Sequence, residues 1–248
     1  TTWDTAHMPN VAYFMYLLTG QFYALEEMQM IVTIPFLQNS TTNRSNSQDI
    51  LQSNVGTMIT RGAAWAIRDL TRAAALTPDG ETLKTEFINA WQSNIDFYHN
   101  RYVVTANHPQ GFVAEYASYT PGVDPYLGAP WMDDFFTYAW GHSFDLHTGI
   151  DSTHATRSSE FFAWKAQAII GRLGGTGSTE YYFADAGIFN LVLAPLDTSN
   201  WATGAGPWYA NWGEIYLATL GVASPKSPVD GNLRGTSAAT WPLATGYW

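Results

Sequence analysis

Trp131, Asp134, Tyr138, His142 and Asp145 fall at i, i+3, i+7, i+11 and i+14, so a helix would carry all five on one face. That face offers an indole on which a sugar could stack, a carboxylate, a phenol and an imidazole. Asp134, or its neighbour Asp133, suits general acid or base work, and Tyr138 or His142 suits proton transfer. The plainer account is a pair of acids favouring the helix N-terminus, with Tyr and His packed into an amphipathic core. A second stripe is Arg61, Trp65, Arg68 and Arg72 at i, i+4, i+7 and i+11. Guanidinium forks beside an indole suit acidic or hydroxyl-rich sugars. The plainer account is a solvated face with Arg72 pairing Asp69. A third group, His7, Asn10 and Tyr13, opens the chain. An Asn/His/Tyr/Arg set suits β-elimination from a uronic acid, in which Asn or Arg neutralises the carboxylate and His or Tyr removes the C5 proton. Trp208, Trp212 and Glu214 would close one side of a cleft. The catalytic candidates are therefore Asp134, His142, Tyr138 and His7. The binding candidates are Arg61, Trp65, Arg68, Trp131, Asn10 and Trp212.

Other chemistries lack their residues. His142 and His147 are spaced off a single helical face, and neither His-Glu-x-x-His nor an Asp-rich calcium loop occurs, so no metal is expected. No Gly-x-Ser-x-Gly elbow is present. The Gly174–Thr179 run follows a helical pattern and lacks the Gly-Lys-Ser/Thr of a phosphate loop, so no nucleotide cofactor is expected.

The elements that must position these residues are helices closed by Thr/Gly turns. Aromatic and aliphatic runs end at Gly20, Gly80, Gly149 and Gly221, and after the first three a second helical run begins. This is the trace of repeated αα-hairpins. Helices are expected over 8–19, 21–34 (ended by Pro35), 58–76, from about Leu83 to Tyr102, 131–147, 159–173 and 208–220. A long loop is expected over 103–130, with a short hairpin around Phe112–Tyr119. A short helix or irregular chain is expected over 181–194, and an irregular tail over 222–248. The polar stretch 38–54 reads as a loop, and Asn39 and Asn43 fit the glycosylation sequon. The whole chain reads as a single mainly α domain.

The chain has 248 residues, no cysteine, 13% charged and 15% aromatic residues, including 11 Trp and 14 Tyr. It is long enough to bury a core without disulfide or metal staples. A surface poor in charge and rich in Trp and Tyr points to aromatic-lined clefts or to a large aromatic core. A net charge of −10 argues against a general nucleic-acid binder. No apolar run approaches the roughly 20 residues of a membrane span. The chain starts Thr-Thr-Trp, without Met or signal peptide, as a processed product, a trimmed chain or a fragment would.

His7-Met-Pro-Asn with Tyr16-Leu-Leu-Thr-Gly, Arg61-Gly-Ala-Ala-Trp-Ala-Ile-Arg and Trp131-Met-Asp-Asp-Phe-Phe resemble the (α/α)-toroid enzymes. These are the six-hairpin glycoside hydrolases and the helical domains of polysaccharide lyases. The likeness is one of style over about 150 residues, and no family-specific catalytic signature matches. It implies a partial (α/α) toroid with long irregular loops. It also implies a polysaccharide or oligosaccharide partner, hydrolase or lyase chemistry in a cleft of inner helices, and an extracellular or periplasmic location. Three or four hairpins are fewer than a full ring, which implies a partial arc, an upstream domain or self-assembly. Two rivals stand beside the enzyme: a non-catalytic assembly or surface protein, and a helical sugar-binding module.

Overall fold

The computed structural model describes residues 7–38, 60–105, 110–113, 126–174, 177–188, 190–195 and 208–221. The polar stretch with Asn39 and Asn43, most of the expected hairpin after Val113, and the tail from Val222 lie outside the described residues.

The protein is mainly helical, as expected. The helices are α1 (Ala12–Thr19), α2 (Phe22–Gln38), α3 (Thr60–Leu76), α4 (Thr82–Tyr98), α5 (Pro130–His142), α6 (Ser152–Lys165), α7 (Gln167–Arg172) and α8 (Trp212–Leu220). The returning glycines do what the turns require: Gly20, Gly80, Gly149 and Gly221 all have positive φ. Gly20 and Gly221 cap α1 and α8 in the left-handed conformation, and their N–H groups donate to the carbonyls of Tyr16 and Leu217. Thr19 adds to the first turn, because its hydroxyl donates to the Met15 carbonyl and accepts from the Gln21 N–H.

Several boundaries differ from expectation. Pro35 does not end α2 but sits in its last turn, where it removes one helical hydrogen bond and the chain still continues to Gln38. α5 stops at His142 and tightens into a 3₁₀ turn, Ser143–Asp145, so Asp145 leaves the α-helical register. α6 begins at Ser152, because Asp151 caps it through the His154 N–H at 2.9 Å. α4 runs directly into a π-helical turn, His99–Val104. The expected loop over 103–130 contains a strand, β1 (Tyr126–Gly128). It pairs antiparallel with β2 (Leu191–Ala194), in the segment read as helix or irregular chain.

The chain divides into two compact units. The first comprises Thr1–Thr105 and Phe135–Phe162. Within it α1 packs on α2, α2 on α3 and α3 on α4. The apolar side of α3 is nearly all small, with Ala63, Ala64, Ile67, Leu70 and Ala74 at 0% exposure, which lets neighbouring helices approach closely. The larger core residues are aromatic. Trp140 meets Trp91 at 4.7 Å and Phe161 at 4.3 Å between ring centres, and Tyr98 meets Phe136 at 5.2 Å. The Trp140 indole N–H donates to Ser158 of α6. Polar bridges join the flank of α4 to α6: Arg157 to Asp96 at 2.5 Å, and His99 to Glu160 at 2.7 Å.

The second unit comprises Ala106–Asp134 and Ala163–Trp248. The β1–β2 pair, α7 and α8 belong to it. Its core includes Phe112, Tyr181, Leu191, Leu193 and Tyr216. Asp185 satisfies both buried phenols: its carboxylate accepts from Tyr216 at 2.6 Å and its carbonyl from Tyr181 at 3.2 Å. Lys165 and Asp133 form an ion pair at 0% and 2% side-chain exposure, and Asp133 also accepts from the Val113 N–H. Burial pushes the Asp133 carboxyl up and the Lys165 ammonium down, and each charge resists the shift of the other.

Candidate functional site

In the first unit, three helices bring polar side chains into contact. α1 begins with Asn10 just ahead of it, whose side-chain oxygen accepts from the Tyr13 N–H at 3.3 Å. This places Tyr13 on the first turn. α3 presents Trp65, Arg68, Asp69 and Arg72 over two turns. α5 presents Tyr138 and His142 one turn apart.

Arg72 is the hub. Its side chain is 3% exposed. Its guanidinium lies 4.0 Å from the Tyr13 ring centre and 5.2 Å from that of Phe14. Its Nε donates to His142 Nε2 at 3.5 Å, at the long limit of a hydrogen bond. The tautomer of His142 that accepts there carries its proton on Nδ1, which faces the Asp145 carboxylate at 4.0 Å. Tyr138 stacks parallel to the imidazole at 6.0 Å, and Tyr13 meets it edge-on at 6.5 Å. Burial lowers the His142 pKa below the ordinary 6.5, and the Arg72 charge lowers it further, against the pull of Asp145. The imidazole is therefore neutral at pH 7, with a free-base form available.

Arg68 lies on Trp65, 4.2 Å from the ring centre. Its Nε and Nη2 both donate to Asp69 Oδ1 at 3.3 Å, and Nη2 also reaches the Met8 carbonyl. Asp69 is fully buried. Desolvation raises its pKa to about 6, opposed by Arg68, Arg72 and Asn10. The pairing expected between Arg72 and Asp69 goes instead to Arg68, and the face is partly buried along Arg61, Trp65 and Arg68 and fully buried at Arg72.

The residues singled out by sequence divide between the two units. Asn10, Trp65, Arg68, Tyr138 and His142 meet in the cluster just described. Arg61 lies on the first turn of the same helix, half-buried. His7 is exposed, just ahead of Asn10. Asp134, Trp131 and Trp212 belong to the second unit. Asp134 pairs with Arg172, whose guanidinium also donates to the Ala168 and Ala186 carbonyls. Trp131 is exposed, and Trp212 packs its ring near Phe112 and Tyr181. Asp133, the alternative acid, is held by Lys165.

Sequence reading missed Asp69 as a member of the site. The signal was present, since Asp69 follows Trp65 by four residues and adjoins Arg68, but an Arg-Asp step on a helix ordinarily reads as solvated. Among the described residues no group of three or more His, Asp or Glu side chains is placed to hold a metal. No described helix is long and apolar enough to cross a membrane. The chain matches no protein-family model, no curated protein and no solved structure.

Proposed function

We propose that the chain is a carbohydrate-active protein that cleaves a polysaccharide by β-elimination, its helical hairpins forming part of an (α/α) arc. The observation that carries this reading is the His142 imidazole, set between Tyr138 and Tyr13 and beside the buried Arg72, where burial and the Arg72 charge favour its neutral form. Elimination needs a base that is unprotonated at neutral pH, a proton donor near it, and fixed positive charge to stabilise the carbanionic transition state. In this reading His142 Nε2 gives up its long contact with Arg72 Nε and removes the C5 proton. The C5–H electron pair forms the C4–C5 double bond, the C4–O bond breaks, and the leaving oxygen takes the Tyr138 phenolic proton. Tyr138 is more than half exposed, which suits a group that must meet a sugar chain. Arg61, Trp65 and Arg68, along one stripe of α3, and Asn10 would bind the substrate.

Hydrolysis is less well supported by the same cluster. Glycoside hydrolysis ordinarily uses two carboxyl groups across the scissile bond. Asp69 is buried and tied to Arg68, while Asp145 is 84% exposed on the outer side of the imidazole. A panel of polysaccharides, read both for reducing ends and for the ultraviolet absorbance of unsaturated uronates, tests the reading. Unsaturated ends are expected from a uronate polymer. The variant H142Q should lose roughly 10²–10⁴ in kcat, the usual worth of a general base. Reducing ends without unsaturation would assign hydrolysis instead.

One observation favours an assembly role alongside or instead of catalysis. Val11, Phe14, Leu17 and Leu18 of the α1 segment and Phe22, Tyr23, Met30 and Leu37 of α2 are all more than half exposed. A cleft of about 510 Å³ on α2, with Tyr23, Glu26, Glu27 and Met30 in its wall and Leu83 of α4 opposite, adjoins this surface. Self-association that depends on concentration, together with an inert polysaccharide panel, would establish the assembly reading.

A further inference from the structure

We infer that the buried side of α3 is an oxyanion-binding site, with Arg72 as its principal donor and Asp69 as a built-in counter-charge that tunes it. The anion site stands on the charges and unpaired atoms described below. That its natural ligand belongs to a sugar rests on the elimination reading above.

The charge inventory comes first. α3 contributes Arg68, Asp69 and Arg72. α1 contributes Asn10 and the Tyr13 phenol. α5 contributes Tyr138 and the neutral His142, and the 3₁₀ turn after it contributes Asp145, exposed on the far side of the imidazole. Asp69 spends Oδ1 on Arg68. Arg72 is left with a neutral imidazole, two aromatic rings and no carboxylate of its own, since the Asp69 charge that attracts it is already bonded to Arg68. A guanidinium so withdrawn from water is poorly compensated in that company, and Arg68 adds to its difficulty.

The unpaired atoms point the same way. Arg72 Nη1 and Trp65 Nε1 are buried without a hydrogen-bond partner, while the Asn10 side chain serves Asp69. Both unpaired atoms are donors. Buried polar atoms are rarely left unpaired in native proteins, and an excess of donors beside positive charge suits an oxyanion. Tyr13 covers the face of the Arg72 guanidinium, whereas its N–H bonds lie in the plane, so the Nη1 edge can still fork onto two oxygens. Phe14 and Tyr138, both more than half exposed, sit at the outer edge of the cluster. The fitting ligand is a carboxylate of a sugar acid or a sulfate ester, which present the same oxygens.

Asp69 opposes that ligand while ionised. Its carboxyl sits at about 6, so mild acid neutralises it and removes the opposing charge. Anion affinity should therefore rise as pH falls through 6.

Calorimetric titration tests this with inorganic sulfate, with glucuronate and with glucose, at about one pH unit on either side of 6. At least one anion should bind and glucose should not, with affinity about tenfold tighter on the acid side. D69N should bind tightly at both pH values, and R72Q should lose at least about tenfold. Circular dichroism checks that each variant stays helical. If R72Q does not fold, the D69N comparison decides alone. Absence of anion binding to the parent protein at either pH would overturn the site, and a pH dependence as large in D69N as in the parent would overturn the role of Asp69, because His142 supplies only the part that D69N retains. Glucuronate without sulfate identifies a carboxylate site, and the reverse a sulfate-ester site. Anion binding with no unsaturated product from any polysaccharide would leave the site standing and refute elimination. Unsaturated product with neither anion binding better than glucose would do the opposite.

Discussion

Asp69 and His142 carry opposite consequences of the same burial. Burial favours the neutral form of each, so the acid is pushed up and the base down. For Asp69 the folded protein holds the proton more tightly than the unfolded chain does. Its contribution to stability is therefore greatest below its ordinary 3.8 and is lost as pH rises to about 6, a change of about 3 kcal/mol. D69N should remove this slope, visible as denaturation midpoints that diverge from the parent across that window. Parallel curves would show that the carboxyl is not buried as described. For His142 the sign reverses, because a lowered pKa means stability lost as pH falls below 6.5. If His142 is the base, the acid limb of kcat/KM should lie below that value, and a limb above it would assign the base elsewhere.

Helix α5 shows what spacing can and cannot tell. The stripe Trp131, Asp134, Tyr138, His142 is helical as read. Its chemistry is nonetheless split, because the first two residues belong with the second unit and the last two with the first. Spacing reports which residues share a face and is silent on what covers that face at each turn. The same limit hid the Lys165–Asp133 pair. A lysine late in α6 and an acid early in α5 have no local relation, and their meeting depends on how the chain folds back. D133A should cost about 3–5 kcal/mol, because it leaves the Lys165 ammonium buried without its partner. Urea denaturation measures this, and a loss below about 1 kcal/mol would mean that water reaches the site. β2 was missed for a related reason. Leu191–Ala194 is a short, fully buried apolar run without alternation, so it reads equally as helix or strand until its partner β1 is known.

At the scale of the whole molecule, two compact units each carry their own aromatic core. Damage to either should then be felt first at home. W91F alters the Trp91–Trp140 contact of the first unit. G213A would drive a methyl group into the Ser178 carbonyl in the second. Amide exchange should quicken around α3 and α4 in the one and around α8 and β2 in the other. An equal rise everywhere would mean that the chain opens as one block.

The sequence by itself determined the helical class, the turns at Gly20, Gly80, Gly149 and Gly221, and the helical register of Arg61, Trp65, Arg68 and Arg72. All of these follow from local rules: the period of a helix and the conformational reach of glycine. Only the tertiary structure decided that Arg68 rather than Arg72 takes Asp69, that His142 meets Arg72 while Asp134 meets Arg172, and that Arg72 Nη1 and Trp65 Nε1 are left without partners. Those outcomes depend on desolvation and on contacts between residues far apart in the chain, and no pattern of neighbouring residue types encodes either.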